Sequence, residues 1–409
     1  MATSTNAYYS LADADSTPRP FHTATVAPRP PVRVRDPEVS ASGQLVIVTA
    51  RWVLVLAGLL LALWNPGPIG QIRLHVFTLL ILAVGNFYLH AQLLMRRPTI
   101  SAVAYAASAI DIVVITLLVA TQGGFASSLY VFYFPALLAL SIAFPTSRTV
   151  GFGSVAVALY ACVGLFSIGS ERDAQSMVVR LLMLIAVAVC GNLFARIEAG
   201  RRQGAIDAPA AQAAADVFFG QAVIIWARWF IILAGATLTL WTATTAEEIT
   251  INTILIVILM AMNFFLHGRY LTERPANRTL LGAVGAIDLL VITAIVTVWQ
   301  TQVGLRSELF VFYYPIVLAF ACVMTPRLSS AYTAAALAAY AGACLLLGDR
   351  FVGAEDAKLL VMRLITLAAM GGLGAYYWRM QRGRRQAVRG AASALEELRA
   401  WLGDAALSE

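Results

Sequence analysis

The chain has 409 residues, of which 60% are apolar and only 12% charged, with a formal charge of +7 and an isoelectric point near 9.4. Soluble domains average roughly 45–50% apolar and ~25% charged residues, so these proportions exclude a soluble protein. Twelve membrane-crossing helices of ~20 residues would use roughly 240 positions, close to all the apolar residues present, and would leave no room for a soluble catalytic domain.

Residues 1–43 are polar and hold Pro18, Pro20, Pro28, Pro30, Pro31 and Pro37. Such a segment cannot bury enough apolar surface to offset its ordering entropy, and it reads as a disordered or extended tail. The first apolar run begins near residue 44, without a short basic leader before it, so the first helix is expected to act as its own signal. Apolar spans follow near 44–64, 72–94, 100–120, 129–146, 149–168 and 177–196. An Ala-rich stretch at 197–216, with Arg201, Arg202, Gly204 and Pro209, reads as a cytoplasmic linker. A second set of spans lies near 217–241, 249–268, 279–298, 309–326, 328–348 and 359–379. Residues 380–409 form a basic tail in which Leu395, Leu398, Trp401 and Leu402 share one face of a short amphipathic helix, suited to docking on a protein partner or the membrane surface.

The basic residues are 28 arginines and one lysine, Lys358, and 20 of the arginines fall on the side of these spans that holds both termini. The opposite loops carry Arg73, Arg172, Arg306, Arg350 and Lys358 against the acids Glu171, Asp173, Glu247, Glu248, Glu308, Asp349, Glu355 and Asp356. Cytoplasmic loops carry the Lys/Arg excess, so both termini are expected in the cytoplasm. The positive charge thus records topology and attraction to anionic lipid heads rather than nucleic acid binding. Cys162, Cys190, Cys322 and Cys344 all fall in apolar spans without CxxC spacing, which suits small buried residues and not metal or disulfide chemistry.

The two sets of spans are one pattern written twice. Ala50-Arg51-Trp52, Leu56-Ala57-Gly58 and Trp64 recur as Ala227-Arg228-Trp229, Leu233-Ala234-Gly235 and Trp241, an offset of 177. Asn86-Phe87, Leu89-His90, Arg97-Pro98, Ile110-Asp111 and Val114-Ile115-Thr116 recur at the same offset. After a three-residue insertion, Leu129, Val131-Phe132-Tyr133 and Pro135 recur as Leu309, Val311-Phe312-Tyr313 and Pro315, and later Arg180 and Gly191 recur as Arg363 and Gly374. Six spans is an even number, so the second unit enters the membrane in the orientation of the first. The expected fold is an all-α integral membrane protein of twelve transmembrane helices, built as two parallel six-helix repeats at 44–196 and 217–379.

An ionised carboxylate near the bilayer centre costs at least ~2.5 kcal/mol, so Asp111 and Asp288 must face a partner or a wet cavity. From the cytoplasmic ends of the assumed spans, Asp111 lies roughly 18 Å deep, Asn86 about 14 Å and Arg51 about 10 Å, with a further ~6 Å of reach along the arginine stem, by which it could meet the carboxylate or snorkel to the surface. One buried polar cluster per unit is expected: Arg51, Asn86 and Asp111, and at the same spacing Arg228, Asn263 and Asp288. Such groups serve either as hydrogen-bonding glue between helices, the favoured reading, or as a ligand- or signal-sensing element. His90 and His267 read as interfacial packing residues. Arg180 and Arg363 open the sixth span of each unit and are expected to snorkel to headgroups rather than to bind an anion.

The loop before span four, Gln122-Gly123-Gly124-Phe125-Ala126-Ser127-Ser128, leads into Tyr130-Val131-Phe132-Tyr133-Phe134-Pro135. Glycines permit a tight turn, and the aromatics with a kinking proline could form a slot for a flat amphipathic ligand such as a quinone. The slot would comprise Gly123, Gly124, Tyr130 and Tyr133, with Gly304 and Tyr313 in the second unit. An interfacial aromatic belt uses the same residues and is the favoured reading.

Together these residues resemble the six-helix membrane sensor module of Reg-type redox-sensing and pilus-regulating histidine kinases. The likeness lies in an Arg-Trp in span one, an Asp in span three, a Gly-Gly loop, an aromatic entry to span four and an Arg opening span six, over roughly residues 44–200 and 217–385. In the redox-sensing branch the Gly-Gly loop continues with two variable residues and Asn-Pro-Phe, implicated in quinone sensing, whereas Ser127, Ser128 and Leu129 stand at those last three positions here. The resemblance implies a sensor-like or accessory protein of the bacterial inner membrane. With His22, His75, His90 and His267 all upstream of the tail, and no glycine-rich nucleotide loop, kinase activity is not expected, nor is another enzymatic activity, because no span holds paired carboxylates or a nucleophile–base pair. A secondary transporter of six plus six parallel spans and a structural subunit of a membrane complex are the alternatives.

Overall fold

Helix starts along the chain are marked by prolines and polar caps. Pro209 and Pro326 each occupy a first helical position, where the missing N–H would have no partner in any case. Thr245 caps its helix by accepting from the Glu248 N–H, and Glu247 and Glu248 place negative charge in the first turn. The computed structural model describes residues 41–64, 68–95, 101–203, 209–242, 245–272, 276–298, 305, 307–346, 353–377 and 379. The Pro-rich tail before residue 41, the Arg97-Pro98 and Arg274-Pro275 turns, Gly304 and the amphipathic tail at 380–409 lie outside the described residues.

The helices are α1 (Ala41–Trp64), α2 (Ile69–Leu94), α3 (Ser101–Thr121), α4 (Tyr133–Ala143), α5 (Thr146–Ser167), α6 (Glu171–Gln203), α7 (Pro209–Thr242), α8 (Ala246–Leu271), α9 (Arg278–Val298), α10 (Tyr313–Val323), α11 (Pro326–Leu346) and α12 (Ala354–Tyr377). Three-residue-per-turn helical segments at Ser128–Phe132 and Glu308–Phe312 lead into α4 and α10. No strand occurs among the described residues. Ten of the helices are long and apolar enough to cross a membrane, which makes this an all-helical, multi-pass membrane protein. Of the linker expected at 197–216, residues 197–203 belong to α6 and 209–216 to α7, and 204–208 lie outside the described residues.

The remaining two, α4 and α10, depart from the expected spans 129–146 and 309–326. With its lead-in turn, α4 covers Ser128–Ala143, about 27 Å of rise, a little less than the ~30 Å hydrocarbon layer. Pro145 sets that limit, because the residue before a proline is disfavoured in helical conformation and Phe144 is extended. Nearly every residue of α4 and α10 is buried. They are apolar all round because they are central: α4 packs on α1 and α6, α10 packs on α7 and α6, and α6 lies against α7. Large apolar side chains instead face outward on α2, α5, α8 and α11, among them Phe77, Phe87, Phe166, Phe264 and Leu346. A band of that kind needs lipid around it.

Candidate functional site

Arg51 is the eleventh residue of α1 and Asp111 the eleventh residue of α3. The helices start a few residues away from the assumed span limits, which removes the 8 Å difference in depth expected from those limits and puts the two side chains level. Arg51 Nε donates to Asp111 Oδ1 at 2.7 Å, and Arg51 Nη2 donates to the Ala107 carbonyl at 3.1 Å. In the second half Arg228 Nε donates to Asp288 Oδ2 at 3.0 Å and Nη2 donates to Oδ1. That pair is drier, with both side chains at 0% exposure against 4% and 10% in the first half.

The asparagines do not join these pairs. Asn86 Nδ2 donates to the Val48 carbonyl at 3.1 Å and Asn263 Nδ2 to the Ile225 carbonyl at 3.3 Å. Each ties the second helix of its unit to the backbone of the first, one turn away from the arginine. The expected three-residue cluster is therefore an ion pair between helices one and three plus a separate clasp between helices one and two. A further clasp was not singled out from the sequence although it keeps the 177-residue offset: Gln44 donates to the Leu89 carbonyl and Gln221 to the Leu266 carbonyl. The cavity beside Arg51 and Asp111 measures about 10 Å³, too small for a ligand and with barely the room for one water.

The aromatics after the Gly-Gly loop are core and not an interfacial belt. Tyr130, Phe132, Tyr133 and Phe134 are 2%, 1%, 0% and 0% exposed, and Tyr313 is 2% exposed. Phe134 stacks on Tyr314 of the other half with ring centroids 4.2 Å apart, and Tyr130 lies 6.4 Å from Phe310. The Tyr133 hydroxyl meets Thr116 at 2.5 Å and the Tyr313 hydroxyl meets Thr293 at 2.8 Å, so both phenols are satisfied within their own unit. Among the described residues no flat slot opens between them: Tyr130, Tyr133 and Tyr313, proposed for quinone binding, are packed on protein, while Gly123 is exposed. Gly123 and Gly124 have φ of 102° and 62°, conformations that a side chain resists. At Gly124 a Cβ would also fall 2.5 Å from Ser167 Oγ, the atom that accepts the Phe125 N–H.

Arg180 and Arg363 do not snorkel either; they are 3% and 4% exposed. Arg180 Nη1 donates to the Phe125 carbonyl at 2.8 Å and to the Tyr160 hydroxyl at 3.0 Å. Its guanidinium lies 4.2 Å from the Phe125 ring and 4.1 Å from the Tyr130 ring. Arg363 Nη1 repeats this with the Leu305 carbonyl at 2.8 Å, the Ser307 carbonyl at 3.2 Å and the Tyr340 hydroxyl at 2.8 Å, over the Phe310 ring at 3.7 Å. Arg180 also pairs with Glu308 of the other half, through Nε at 2.9 Å and through Nη2. Tyr160 and Tyr340 were not predicted as partners; each stands 180 residues from the other, the offset of the loop after the insertion.

Between the halves at this end lies an open space of about 250 Å³ lined by Ser127, Ser128, Tyr130, Arg180, Glu308 and Arg363 among others. A neighbouring space of about 240 Å³ shares Ser127 and Ser128 and adds Glu355 and Lys358. The chain can thus do two things chemically: hold charge pairs sealed within each half, and line a polar space between the halves with buried arginines. Comparison with protein families, with curated proteins and with solved structures returns no match for the chain.

Proposed function

We propose that the chain is a twelve-span protein of two parallel six-helix units, both termini cytoplasmic, which acts in a bacterial inner membrane as a sensor-like or accessory protein without kinase activity. One observation carries this reading. Each unit closes round its own Arg–Asp pair, while the open polar space lies at the end of the bundle between the units. A carrier that alternates access needs a substrate site near mid-membrane at the repeat interface. Here Phe134 stacks on Tyr314 across that interface, with Phe310 edge-on to Tyr314 and Tyr130 tilted against Phe310. A ligand at the end of the bundle would bias how α6, α7, α4 and α10 pack, and that shift would reach a partner through the cytoplasmic segments. The matched offsets of Arg51–Asp111 and Arg228–Asp288 support the parallel duplication.

The test uses the full-length protein in proteoliposomes with a panel of small polar and membrane-soluble solutes. No net flux is expected. Distances between spin labels at Phe166→Cys and Leu346→Cys, in a background whose own cysteines are alanine, should shift with at least one of the solutes. Clear net flux would make the protein a transporter, and neither flux nor a distance change would make it a structural subunit.

A further inference from the structure

We propose that the pocket between the two halves binds a small oxyanion, a carboxylate or phosphate group, on the free edge of Arg363. The argument starts from a broken symmetry. Arg180 and Arg363 are held alike, each with Nη1 on a loop carbonyl and on a tyrosine hydroxyl. Both arginines line the pocket between the halves. In Arg180 the edge formed by Nε and Nη2 holds the Glu308 carboxylate. In Arg363 the same Nε is buried and has no hydrogen-bond partner. Arg363 makes no ion pair among the described residues.

The reason lies in one position of the repeat. Leu129 corresponds to Leu309, so Glu308 corresponds to Ser128. The first unit offers a hydroxyl where the second unit offers a carboxylate, and Ser128 lines the same pocket as Arg363. The Tyr130 hydroxyl, in a buried side chain that also lines this pocket, is likewise without a partner, while its counterpart Phe310 has no hydroxyl to satisfy. A guanidinium edge, a serine and a phenol around about 250 Å³ is the donor set for an oxyanion of a few heavy atoms. The pocket's carboxylates are Glu308, neutralised by Arg180, and Asp356, which has a partner of its own. A bound carboxylate or phosphate group would occupy the place at Arg363 that Glu308 occupies at Arg180. This names a ligand class for the sensor reading and rests on that reading for what binding does, but not for binding itself.

The same chemistry is offered by a free solute or by the phosphate of an anionic lipid, and the test separates them. Full-length protein is prepared in nanodiscs of phosphatidylcholine alone, and binding of succinate, acetate and inorganic phosphate is followed by calorimetry. A parallel arm replaces a third of the lipid with phosphatidylglycerol and follows thermal unfolding. The diagnostic variant is Ser128→Glu, which supplies Arg363 with an internal carboxylate at the position of Glu308 and keeps the arginine satisfied, so the fold is retained. Saturable binding of a solute, weakened at least about tenfold by S128E, supports a free ligand. Stabilisation by phosphatidylglycerol that S128E removes supports a lipid headgroup. Arg363→Gln should abolish either effect. Binding unaltered in S128E, or no response to any oxyanion in either arm, would overturn the proposal. Net flux in the proteoliposome assay would sink the sensor reading while leaving this binding intact.

Discussion

Arg228 and Asp288 have side chains at 0% exposure, so neither charge has water to fall back on. Burying the pair costs desolvation that their attraction and hydrogen bonds roughly offset, but removing one partner leaves the other uncompensated. Arg228→Leu is therefore expected to destabilise the protein by about 3–5 kcal/mol, and Arg228→Leu with Asp288→Leu to recover most of that loss. Equilibrium unfolding of the single and double variants checks this, and equal losses in both would show that the charges do not act as a pair. Arg51→Leu should cost less, because Asp111 keeps 10% exposure and some contact with water. Neither residue reaches a cavity able to hold a ligand, so these substitutions should act on stability and leave oxyanion binding at Arg363 in place wherever the fold survives.

At the scale of the helix, Pro135 and Gly374 show how local chemistry sets packing. Pro135 is the third residue of α4, in the first turn, where a proline is tolerated. Pro135→Ala should thus change stability by no more than about 1 kcal/mol, against ~3 kcal/mol for a proline in a helix interior. A larger change by thermal or denaturant unfolding would mean that the three-residue-per-turn lead-in depends on the proline ring. Gly374 on α12 faces Ala321 on α10, where an added Cβ would come 2.8 Å from the alanine methyl carbon. Gly374→Leu should overpack this crossing and lower stability by roughly 1–3 kcal/mol or more. Gly191 makes the matching approach to Ser141 in the first half. The repeat was legible here as two glycines in register, but their neighbours were not, because a helix sequence does not say which helix crosses it.

For the whole molecule, the two halves meet through α6 and α7, through α4 and α10 with their stacked rings, and through the Arg180–Glu308 pair. An interface of that apolar character should hold without the covalent link. Co-expression of residues 1–203 with residues 209–409 is expected to give a complex that copurifies in mild detergent, and separate recovery of the halves would show that the connection is needed. Within such a complex Phe134→Ala with Tyr314→Ala should lower the yield sharply, since a stacked aromatic pair adds ~0.5–1.5 kcal/mol beyond the area it buries.

Composition and periodicity alone made this a multi-pass helical membrane protein, because a chain with so few charges has too little polar surface to face water. The repeated Arg and Asp at one spacing also identified which side chains form the ion pairs, since an unpaired charge has no stable place in hydrocarbon. Tertiary structure decided the rest. Asn86 and Asn263 bond to backbone and not to the ion pairs, as helix rotation and not depth determines what a side chain meets. The aromatic run Tyr130–Phe134 read as an interfacial belt or a slot for a flat ligand, and the stack on the other half makes it core. Arg180 and Arg363 stand at corresponding positions of the repeat and are anchored alike, yet among the described residues only Arg180 holds a carboxylate, because the second half offers it Glu308 where the first half has Ser128.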